Sequence, residues 1–111
     1  RTLESFRELK SKGDENLRIL EEKRVTGIHL CGESDLTEIL SFCFTGFKIK
    51  LLSVIPEKDL IMELEQNKKP KFPNLQSGEL IMVVSLEKQS LITKLLVQNG
   101  YKKNKHWVIF S

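Results

Sequence analysis

The sequence contains no alanine, two cysteines, two histidines and three prolines, and no apolar run approaching the roughly 20 residues that a membrane-spanning helix requires. The missing run excludes a helical membrane span and leaves a soluble domain as the expectation. Cys31 and Cys43 belong to no CxxC or Cys/His pattern, so spacing gives neither a zinc site nor a disulfide framework. Reduced thiols in a cytoplasmic setting are the simpler reading. A dominant charge sign is lacking too: 18 Lys and Arg against 15 Asp and Glu leave +3, largely interspersed, without the field that nucleic-acid binders carry. Also missing are GxSxG, HExxH, a Walker A loop and the aspartate pair of a phospho-receiver, so no catalytic constellation emerges. The chain starts at Arg1 without a basic-then-apolar leader, and reads as a piece of a longer protein. The absence of alanine is a compositional bias that carries no mechanism.

What is present suits one compact domain: 111 residues, 40% hydrophobic and 30% charged. Residues 1–23 form a helical lead-in, with Leu3, Phe6, Leu9, Leu17 and Leu20 at helical spacing. Gly13 and Asp14 interrupt it, and Asp14 can cap a second segment, which leaves one helix or two open. From Arg24 the character changes: Val25, Ile28 and Leu30 make a short buried strand that ends at Gly32. Asp35, with Glu38 three residues on, reads as a capping box opening a helix over residues 36–44, stopped by Gly46. Residues 47–55 are a second apolar strand, ended by Pro56. A short helix over 59–66 and a basic, proline-containing loop over 67–73 follow. A strand over 80–84, a helix over 87–98 with Asn99 and Gly100 as its stop, and a strand over 106–110 complete the chain. Strands alternating with helices predict an α/β fold: a small Rossmann-like three-layer domain over residues 24–111, its mainly parallel sheet of about four strands covered on both faces.

The segment RVTGIHLCGESDLTEIL carries a resemblance beyond this pattern. It is similar to the strand-turn-helix of Rossmann-like domains worded GAGELAEI or GAGGHAK, found in bacterial polysaccharide and nucleotide-sugar proteins. Such domains stand at the start of sugar acetyltransferases and beside winged-helix regulators or methyltransferases. KIKLLSVIPEK and ELIMVVSLEKQSLITKLLVQNG extend the likeness in weaker form over about residues 24–111. The resemblance places Gly32 on the first fingerprint glycine, Ser34 on the second and Thr37 on the third. It implies backbone amides of Glu33 and Ser34 on a phosphate or sugar, Glu57 on a ribose hydroxyl, and Ser85 at the facing edge. The implied ligands are nucleotides, nucleotide sugars and NAD(P), none of which is singled out as cofactor.

Only the first glycine of the fingerprint is kept, and Glu33, Asp35 and Glu38 crowd the helix start that would attract phosphate. At an effective dielectric near 20, like charges about 5 Å apart cost on the order of 3 kcal/mol before screening, which offsets much of the dipole's attraction.

Other residues weigh less. Cys31 precedes a helix start that would lower its pKa, but acidic neighbours act oppositely, and both cysteines read as buried small hydrophobes. His29 and His106 have no partner at metal-ligand spacing. Ser85 reads more simply as a cap for the helix after it. Lys68, Lys69 and Lys71 beside Phe72, and Lys102, Lys103 and Lys105 between Tyr101 and Trp107, mix base and aromatic, yet no nucleic-acid motif accompanies them. Nucleic acid is not the expected partner. Two readings remain: a non-catalytic accessory domain with a nucleotide-type ligand at the first strand-helix turn, or a docking module. The second would use residues 2–23 against another copy or a neighbouring domain.

Overall fold

The computed structural model describes residues 3–32, 34–66, 75–85 and 87–110. Helix α1 spans Leu3–Glu22, strand β1 Gly27–Gly32, helix α2 Ser34–Ser41 and strand β2 Lys50–Pro56. Helix α3 spans Glu57–Gln66, β3 Glu79–Val84, α4 Gln89–Gln98 and β4 Trp107–Ile109. The four strands form one sheet in the order β2-β1-β3-β4, and every pairing is parallel. The architecture is the Rossmann-like three-layer α/β arrangement that the alternation of elements predicts.

Strand alternation divides the core. Ile28 and Leu30 of β1, with Leu80, Met82 and Val84 of β3, face Leu17 and Leu20 of α1 and Leu36 and Leu40 of α2. Cys31, Ile55, Ile81 and Val83 point the other way, onto Leu60 and Leu64 of α3 and Ile92 and Leu96 of α4. This division follows from strand order. The connection through α2 moves outward from β1 to β2, whereas those through α3 and α4 move in the opposite direction, so crossovers of one hand lie on opposite faces. With α2 alone on its face, half the sheet lacks cover, and α1 supplies the missing apolar stripe.

Helix α1 is a single helix through Gly13, not two pieces. The glycine is buried because α1 packs closely there: a Cβ would lie 2.7 Å from Cys43 Sγ and 2.8 Å from a Leu40 methyl. Helix α2 begins at Ser34, so Asp35 sits in its first turn, where its charge complements the dipole, and not at the capping position ahead of it. The helix continues as a 3-10 turn over Phe42–Gly46. The stop at the end of α4 is a Schellman motif: Gly100 is at φ +87°, its N–H donates to Val97 O (3.1 Å), and the Tyr101 N–H donates to Leu96 O (2.9 Å). Asn99 Nδ2 donates to Leu95 O (2.8 Å) and Leu64 O (3.1 Å), tying the ends of α3 and α4 together.

Candidate functional site

Parallel strands that end together set the starts of their following helices side by side. Gly32 pairs in register with Pro56 on one flank and with Val84 on the other, so the ends of β2, β1 and β3 form one edge. The connection leaving β1 turns toward β2, while the connection leaving its neighbour β3 turns the other way, toward β4. This edge therefore carries the reversal of strand order at which open α/β sheets bind ligands.

Glu57 opens α3 from the β2 end, and Ser85 follows the β3 end, with Gly32 of the intervening strand between them. The Ser85 hydroxyl donates to Glu57 Oε2 and accepts the Lys88 N–H at 3.0 Å. Ser85 is buried, and both bonds hold it in place. The three residues thus form a short polar chain linking the start of α3 to the approach to α4, across the end of β1.

Beside that chain lies a concavity of about 360 Å³, lined by Gly32, Thr37, Val54, Pro56, Glu57, Lys58 and Lys88. Glycine is needed at position 32 by the sheet itself: a Cβ would lie 2.7 Å from Val84 O and 2.9 Å from its carbonyl carbon. Thr37 is buried in α2, whereas Lys58 and Lys88 are exposed at the rim. The arrangement offers a backbone floor, one carboxylate and two ammonium groups, suited to a ligand that is anionic at one part and hydroxyl-bearing at another.

Of the residues singled out from the sequence, Gly32, Glu57 and Ser85 meet at this edge. Ser34 begins α2 at the same edge, and Glu33 lies outside the described residues. Lys58 and Lys88 escaped the sequence reading, which counted lysines in clusters. Each stands within a few residues of a strand's carboxyl end, and that position was the available signal. Comparison with protein families, curated proteins and solved structures finds no match to this chain.

The remaining candidates are placed elsewhere. Cys31 is fully buried, and burial first, then the Glu57 charge, pushes its thiol up to about 12, so it is not a nucleophile at neutral pH. His29 lies on the α3/α4 side of β1, with Nδ1 2.6 Å from Ser53 Oγ; its Nε2 is buried, without a hydrogen bond, 3.8 Å from Glu79 Oε1. Among the described residues no group of three or more His, Cys, Asp or Glu could hold a metal ion, and no helix is long and apolar enough to cross a membrane.

The basic cluster at Lys68, Lys69 and Lys71 lies outside the described residues. In the other cluster Trp107 is buried in the core, and its Nε1 donates to Tyr101 O at 3.2 Å. Lys103 Nζ stands 6.0 Å from the Trp107 ring centre, and the His106 ring meets Tyr101 edge-on. Desolvation, followed by Lys105 and Lys102, lowers the His106 pKa. These aromatics stabilise a turn between α4 and β4 and are not presented as a row for stacking bases.

Proposed function

We propose that this chain is a non-catalytic Rossmann-like accessory domain that binds a nucleotide-type or nucleotide-sugar-type ligand at the carboxyl edge of β1. The observation that carries the reading is the pair of lysines, Lys58 and Lys88, rising from two different helix approaches around a glycine floor at the reversal of strand order. In this reading the lysines hold the phosphate. That relieves the objection raised by the acidic start of α2, because the anion is drawn toward α3 and α4 and away from Asp35 and Glu38. Glu57, oriented by Ser85, accepts from a sugar hydroxyl through the oxygen that Ser85 does not engage. The resemblance at residues 24–111 supplies the setting: a cytoplasmic bacterial protein of polysaccharide or nucleotide-sugar metabolism, with any chemistry carried by other parts of the parent polypeptide.

A thermal-shift screen with NAD, NADP, nucleotide sugars and S-adenosylmethionine tests this. A ligand at about 100 times its dissociation constant stabilises by about 2.7 kcal/mol and raises Tm. Replacing Lys58 and Lys88 together by serine is expected to abolish that rise while leaving the ligand-free Tm in place, because both side chains are exposed. A flat response across the panel overturns the reading, and together with self-association would leave a docking module.

A further inference from the structure

The two edges of the sheet are built differently. Strand β4 is three residues long and is preceded by Lys102, Lys103 and Lys105, which is how proteins blunt an edge against unwanted pairing. Strand β2 is seven residues long; it begins at Lys50, ends at Pro56 and has a register shift at Leu52, but carries no charge from Leu51 to Ile55. Leu52 and Val54 are 40% and 49% exposed, and among the described residues no other element hydrogen-bonds to the backbone of its outer edge. An edge strand with an uncharged apolar interior is a template for another strand.

Charge identifies the occupant. The exposed Lys48 and Lys50 stand at the start of β2, while Glu57 and the exposed Asp59 follow its end, with Lys58 between them. An antiparallel copy of the same segment sets each basic start beside the other's acidic end; a parallel one would set lysine beside lysine. Antiparallel pairing is also what a twofold axis produces. We propose that β2 pairs with β2 of a second copy of this chain, joining two four-stranded sheets into one continuous sheet. A consequence, resting on the ligand reading above, concerns the cleft at the end of β2. Lys50 of the second copy would stand beside Pro56 and Glu57 and add a positive charge to that end of the cleft.

Sedimentation velocity without ligand, from micromolar to millimolar chain, tests the pairing separately from the ligand. The wild-type chain is expected to approach twice its 12.8 kDa mass, with the amides of residues 51–55 exchanging more slowly as concentration rises. Leu52→Lys, which places a charge on the strand without altering the cleft lining, is expected to return the mass to 12.8 kDa and abolish the concentration dependence, with the circular dichroism spectrum unchanged. If that variant fails to fold, the wild-type exchange measurement decides alone. A wild-type monomer at every concentration, or a dimer whose β2 amides exchange at a concentration-independent rate, overturns the proposal.

Discussion

At Gly32 the tolerance for a side chain is smallest, because the atoms that a Cβ would meet belong to the Val84 main chain, which cannot rotate aside. Gly32→Ala should therefore cost about 1–3 kcal/mol in urea denaturation. Gly46→Ala, with nothing within 4 Å of the added carbon, supplies the near-neutral control. Ser85→Ala removes the donor to Glu57 and the acceptor for the Lys88 N–H; leaving such groups unpaired costs about 1–3 kcal/mol, checked by the same titration. The two thiols give a pH dependence. Burial, with nearby acids second, raises Cys31 to about 12 and Cys43 to about 11, from an ordinary 9.0. Since the folded chain keeps protons that the unfolded chain releases above 9.0, this contribution is intact below 9.0 and declines as pH rises through 11 and 12. Tm measured against pH should fall over that range, less steeply in Cys31→Val.

Among the elements, α1 shows most clearly what local signals can and cannot settle. Glycine in a helix interior is unfavourable by about 0.5–1 kcal/mol relative to alanine, so the sequence leaves one helix or two open at Gly13. The helix runs on because Cys43 and Leu40 close over that glycine, a contact between segments about thirty residues apart that no window of sequence displays. Gly13→Val should therefore destabilise by about 1–3 kcal/mol through overpacking, despite removing a glycine, as thermal denaturation would show. The end of α4 was legible to the residue, because Asn99 and Gly100 act through local backbone geometry. The start of α2 was less so: a carboxylate in the first turn and one ahead of it leave nearly the same pattern in the sequence. Within the apolar stripe of α1, Leu17 and Leu20 are buried in the core and Leu9 packs partly against it.

For the molecule as a whole, the alternation of strand and helix disclosed the layers, since burial on both faces of a parallel sheet writes continuous apolar runs into the strands. Strand order was not legible. A helix of ten residues can return its chain to either side of β1, and packing of α3 and α4 on the face opposite α2 decides it. The candidate site shared that fate: Gly32, Glu57 and Ser85 were named one by one, but their meeting, and the two lysines around them, depend on which strands flank β1. Placing a ligand at that edge is the central claim, and an amide-resonance titration of the isotopically labelled chain with NAD and with a nucleotide sugar tests it most directly. The account predicts saturable shifts gathered at Gly32, Thr37, Glu57, Lys58 and Lys88 for at least one of them. Resonances unmoved by either ligand, or shifts gathered instead between α1 and β4, would contradict it.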